Sequence, residues 1–81
     1  MALGIDNADM KEGMEMREER KAAGISEGQL AFLLGKPRWQ YVCYERGEEH
    51  CPSNIRQQIR AILDKIEAGG VKIPDLGGVI R

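Results

Sequence analysis

Aromatic residues are scarce: one Trp, one Phe and two Tyr serve 81 residues. A core must then rest mainly on Leu, Ile, Val, Met and Ala. Cysteine is nearly missing, and Cys43 and Cys51 stand eight residues apart, which is no zinc-ligand spacing. His50 is the single histidine, so a closed metal site of four ligands lacks donors. The same shortage, with no Ser/His/Asp set and no glycine-rich phosphate loop, argues against an enzyme. No apolar run approaches the length of a membrane span, and the N-terminus lacks the basic-then-apolar order of a signal peptide. The expectation is a cytoplasmic protein with neither cofactor nor metal.

Charge of one sign is also missing. Twelve basic and 13 acidic side chains leave a net charge of −1, which is not the balance of a typical nucleic-acid binder. The distribution is less even. Residues 1–21 hold six acids and four bases, whereas residues 36–46 hold Lys36, Arg38 and Arg46 against Glu45 alone. A chain this short makes one small domain with a limited core, so a second subunit is a reasonable expectation.

What is present is punctuation. Gly24, Gly35, Gly47, Gly69 and Gly70 each follow a stretch that reads as helix, the place for a left-handed residue after the last turn. Residues 1–8 lack periodicity and are expected to be flexible. Residues 9–23 are rich in good helix formers, although Gly13 weakens them, and Met10, Met14 and Met16 are assigned to the core. In "ISEGQL", Ser26 and Gln29 make a capping box, and Ile25 and Leu30 a hydrophobic staple. That second helix runs to Leu34. A third begins at Pro37 and ends before Gly47, and a fourth opens at Pro52–Ser53 with Ser53 as its cap. Its stripe is Ile55, Ile59, Ile62, Leu63 and Ile66, with Arg56, Gln57, Gln58, Arg60 and Lys65 largely off it. Residues 69–81 hold Gly, Pro and short β-branched runs; they read as a strand, a partner-binding arm or disorder.

The domain plan is therefore a loose start at 1–8, a four-helix all-α domain at 9–68 and a non-helical tail at 69–81. Helices two and three, joined by a tight turn at Gly35, form a helix-turn-helix, with the small Ala31 where they cross. Tyr41 and Tyr44, three apart, face inward together. Arg38, Trp39 and Cys43 then point outward, with Gln40 on the flank.

From Met16 to Leu63 the chain resembles the Cro/xenobiotic-response-element family of helix-turn-helix regulators, which includes the lambda-type phage repressors. The resemblance rests on four fragments in register: Arg20, Gly24, Ile25 and Ser26; Leu30, Ala31, Leu34 and Gly35; Tyr44, Glu45, Arg46 and Gly47; and Pro52 with Ser53. It implies a lambda repressor-like bundle that binds double-stranded DNA as a homodimer and lays helix three in the major groove. By position it implies base contacts from Arg38, Trp39 and Cys43, and phosphate contacts from Ser26, Lys36, Gln40 and Arg46. It also implies a structural ion pair between Arg20 and Glu45. The sequence departs from the family pattern at Gly28, Lys36, Tyr41, Val42, Glu48 and Glu49, and no fifth helix follows helix four. The competing expectation is a protein-docking helix-turn-helix, such as an antitoxin, whose tail and Trp39 face engage a protein partner.

Overall fold

Local chemistry sets the helix boundaries. The computed structural model describes residues 7–74 and contains four helices: α1 (Asn7–Ala22), α2 (Glu27–Leu34), α3 (Arg38–Arg46) and α4 (Ser53–Glu67). No strand occurs among the described residues. The protein is a small all-α bundle. Residues 1–6 and 75–81, which carry most of the loose start and the second half of the tail, lie outside the described residues.

Helix ends follow one rule. At α2, α3 and α4 the amide of a left-handed glycine and the amide after it donate to carbonyls of the last turn. At α2 these bonds run from Gly35 to Phe32 and from Lys36 to Ala31; at α3 they run from Gly47 to Tyr44 and from Glu48 to Cys43. Both glycines have φ near +76°, a region that a Cβ disfavours (77° and 75°). Gly70 differs from expectation: the left-handed residue after α4 is Gly69, and Gly70 supplies the second amide, to Lys65.

Helix starts differ more. The Ser26–Gln29 capping box is complete, with Gln29 N–H donating to the Ser26 hydroxyl (3.1 Å) and Ser26 N–H to the Gln29 side-chain oxygen (2.9 Å). The expected Ser53 cap is not formed. Pro52 holds the cap position of α4 with extended backbone and no side-chain hydrogen bond, and Ser53 is the first helical residue. Pro37 likewise precedes α3 rather than starting it. A proline fixed near φ −60° can turn the chain into a helix without a side-chain acceptor.

The core is Met16, Ile25, Leu30, Ala31, Tyr41, Tyr44, Cys51, Ile55, Ile59 and Leu63, with Leu33, Leu34, Ile62, Ile66 and Ile73 packed around it. Helix α3 lies between α1 and α2, and α4 packs across α2. The assignment of all three methionines to the core fails for two. Met16 is fully enclosed, but Met10 and Met14 are 42% and 65% exposed. Met10 lies against Gly47 at the end of α3, outside the enclosed cluster, and Met14 is open to solvent.

Gly13 weakens α1 by propensity yet is required by packing. A Cβ there would run into the Glu45 carbonyl oxygen and stand 2.7 Å from that of Tyr44. Gly47 does the same from the other helix, where a Cβ would meet Met10 Cα at 2.8 Å. These two glycines let α1 rest on the last turn of α3 backbone to backbone.

The apolar stripe of α4 faces the core with Ile55, Ile59 and Leu63, and Arg56, which lies off that stripe, is enclosed as well. Its guanidinium forks onto Glu19 (3.0 and 3.2 Å) while Nε donates to Glu12 (3.2 Å). It clamps α4 to α1. Of the tail, expected as a strand, a partner-binding arm or disorder, the described residues 71–74 form no strand: Ile73 packs on the core, and the Gln29 side-chain amide donates to the Pro74 carbonyl at 2.8 Å.

Candidate nucleic-acid interface

A helix can present side chains outward only if its inner face holds it firmly. On α3 that face is Tyr41, Tyr44 and Glu45, all buried. Glu45 receives Arg20 Nε at 2.6 Å and Arg20 Nη2 at 3.4 Å, and Arg20 Nη1 donates to the Ile25 carbonyl at 2.9 Å. One guanidinium thus ties together α1, the α1–α2 turn and α3. Burial opposes its charge, but the Glu45 hydrogen bond and carboxylate outweigh this and raise the arginine pKa. The Tyr41 hydroxyl is enclosed beside this pair, and burial followed by Glu45 drives its pKa far above the ordinary value.

The expected base-contact residues sit as follows. Trp39 is 65% exposed on the first turn of α3. Arg38 is also exposed; its stem lies over Gly28 and its guanidinium meets Glu27 at 3.3 Å. An exposed pair of this kind contributes only about 0–1 kcal/mol, so Arg38 can exchange it for another acceptor. Cys43 is half-buried rather than fully outward, and desolvation followed by Glu48 raises its pKa. It is a protonated thiol at neutral pH and a poor nucleophile. Val42, half-buried, stands on the same side as Arg38 and Arg46, four residues from each.

Among the expected phosphate contacts, Arg46 is exposed in the last turn of α3 and Ser26 is exposed at the start of α2. The Ser26 oxygen accepts from Gln29, which leaves its O–H as a donor. Lys36 is half-buried in the α2–α3 turn. Gln40 is turned sideways: its amide donates to the Tyr44 hydroxyl at 3.3 Å, so it braces α3 from within.

Sequence reading missed one member of this surface. Arg17 of α1 lines an open hollow of ≈ 520 Å³ together with Arg38, Val42 and Arg46, over a floor of Arg20, Glu45 and Glu27. The signal was visible in helical spacing. The neighbours of Arg17 at three and four residues are Gly13, Met14, Arg20 and Lys21, none of them acidic. Among the described residues no group of three or more His, Cys, Asp and Glu could hold a metal ion, and no helix is long and apolar enough to cross a membrane.

Comparison with known proteins supplies no relative: no family model matches the chain, and no curated protein or solved structure matches it significantly.

Proposed function

We propose that this chain is a sequence-specific DNA-binding regulator of transcription, cytoplasmic and homodimeric, that reads the major groove with α3. One observation carries the reading. The inner face of α3 is locked by Tyr41, Tyr44 and the Arg20–Glu45 pair, while its first turn exposes Arg38 and Trp39. Cations Lys36 and Arg46 flank the helix at its two ends, and the one acid on the segment, Glu45, is already committed to Arg20. A helix of nine residues is about 13 Å long and enters a major groove of about 12 Å width with its N-terminal side chains at the base edges. Arg38 suits two parallel hydrogen bonds to guanine, a pair worth about 1–3 kcal/mol of discrimination. Trp39 suits an apolar contact with a thymine methyl or a sugar. The overall charge of −1 confines the attraction to this face, so binding depends on local rather than net charge.

A second reading draws on the exposure of Trp39 and Phe32, at 65% and 63%. Large exposed apolar side chains mark protein contacts, as in an antitoxin that binds both an operator and a toxin. The tail contributes less to it, because residues 71–74 are already docked on α2.

Salt separates the two. The protein is titrated with a duplex from upstream of its own gene and with a scrambled duplex, at several salt concentrations, following Trp39 emission and gel mobility. Tight, salt-sensitive binding to the upstream duplex, with the preference lost in Arg38→Ala, supports the regulator reading. Binding to neither duplex at low salt overturns it and leaves the apolar face as the functional surface.

A further inference from the structure

We infer that the hollow between α1 and α3 seats a phosphate of the DNA strand that runs beside α3, and that Arg17 holds this phosphate from α1. The inference rests on the DNA reading above and adds a contact that neither the sequence motif nor α3 itself supplies.

Charge balance within the hollow is the first argument. Its lining holds four arginines and two glutamates. Glu45 is consumed by Arg20 at 2.6 Å, which makes the floor neutral. Glu27 meets Arg38 across an exposed 3.3 Å contact. Arg17 and Arg46 pair with no carboxylate among the described residues, so the concavity carries a local charge of about +2 on a chain of net −1. A concave wall of one sign focuses its field and draws a counter-ion.

The arrangement of α1 is the second argument. This helix is acidic, yet none of its acids lines the hollow, and three of them are engaged elsewhere. Glu12 and Glu19 are turned to Arg56 of α4, and Asp9 meets His50 at 2.8 Å. Its arginines, Arg17 and Arg20, face α3. A cation in the last turn of a helix interacts favourably with the helix dipole, which accounts for Arg46 without any ligand. Arg17 has no such account: it lies mid-helix, exposed, with no acid at three or four residues in either direction.

Position is the third. Arg17 follows Gly13 by about one turn, and Gly13 rests on the carbonyls of Tyr44 and Glu45. This close approach brings Arg17 to the rim beside the last turn of α3, while Arg38 closes the first turn. The seat therefore opens along the same flank of α3 that carries Arg38, Val42 and Arg46. A backbone phosphate beside the groove is the anion of matching chemistry, since a guanidinium forks onto two phosphate oxygens.

Binding of the upstream and scrambled duplexes, followed across a salt series, tests this in wild type, Arg17→Ala, Arg17→Lys and Arg60→Ala, the last an exposed arginine of α4 outside the hollow. Thermal melting checks that each variant folds. The expected result is that Arg17→Ala weakens both duplexes by one common factor and lowers the slope of log affinity against log salt by about 0.9, the release of one counter-ion. Arg17→Lys keeps the slope, and Arg60→Ala changes neither quantity. Three results overturn the inference. If wild type binds DNA and Arg17→Ala binds with unchanged slope and affinity, the seat is refuted and the DNA reading stands. If Arg17→Ala weakens only the upstream duplex, Arg17 reads sequence and seats no phosphate. If wild type binds neither duplex at low salt, the DNA reading and the seat fall together.

Discussion

At the scale of single residues, two buried arginines do the joining that a small apolar core cannot do alone. Arg20 bridges α1 to α3 through Glu45, and Arg56 bridges α4 to α1 through Glu12 and Glu19. The two differ in how well they are enclosed. Both side chains of the Arg20–Glu45 pair are nearly hidden from solvent, whereas the two glutamates on Arg56 are about one-third exposed. Removing one partner of an enclosed pair strands a charge, so Glu45→Ala should lower stability by about 3–5 kcal/mol in a urea titration. Glu12→Ala should cost far less, because Glu19 still holds Arg56 and the lost contact faces water. Cys51 supplies a pH dependence. Burial raises its pKa from 9.0 to about 11. Between those values the unfolded chain has released the thiol proton and the folded chain retains it, so rising pH favours unfolding. The contribution is complete below about pH 9 and disappears toward pH 11. The difference in urea midpoint between wild type and Cys51→Ala should therefore narrow across that window.

At the scale of elements, the two glycines inside helices make a contrasting pair. By propensity each weakens its helix by about 1 kcal/mol relative to alanine. At Gly28 an added Cβ would meet only the Arg38 stem, at 3.6 Å, an ordinary contact. Gly28→Ala should accordingly raise stability by about 0.5–1 kcal/mol. At Gly13 the obstacle is backbone, the Tyr44 and Glu45 carbonyls, which have no flexible end to move aside. Gly13→Ala should destabilise despite its better propensity, since α1 must lift off α3 and carry Arg20 away from Glu45. Parallel thermal melts of the two variants, shifted in opposite directions, would check both. The elements themselves were legible in the sequence because their signals are local: the Ser26–Gln29 box, the terminal glycines and the Ile stripe all act within one or two turns. The misplacements were of the same kind. Ser53 has a capping side chain, but Pro52 occupies the cap position, and Met10 and Met14 have core chemistry but stay outside the enclosed cluster.

At the scale of the whole molecule, the described tail is part of the bundle. Gln29 serves two masters, capping α2 with its oxygen and holding the Pro74 carbonyl with its nitrogen, while Ile73 covers the core beside α2 and α4. A free arm would tolerate truncation of that side chain. A docked one would not, so Ile73→Ala should cost about 1 kcal/mol in thermal or urea unfolding, as befits a half-buried aliphatic group. The proposed DNA surface is likewise a product of the assembled bundle. Residues of α3 that the sequence assigned outward, Arg38 and Trp39, are exposed. Arg17 reaches that surface only because α1 crosses α3 at the Gly13 contact.

The sequence by itself determined what local physics can encode: four helices, where each ends, which face of α3 and α4 is apolar, and that Tyr41 and Tyr44 turn inward together. These follow from periodicity and from backbone amides and carbonyls that must be satisfied within a few residues. Only the tertiary structure decided which of two helical glycines is indispensable, that Arg56 is buried, that residues 71–74 fold back, and that Arg17 joins Arg38 and Arg46 around one hollow. Each of these depends on partners 20 or more residues away, and the distance and angle at which two helices cross leave no mark on the local pattern of either one.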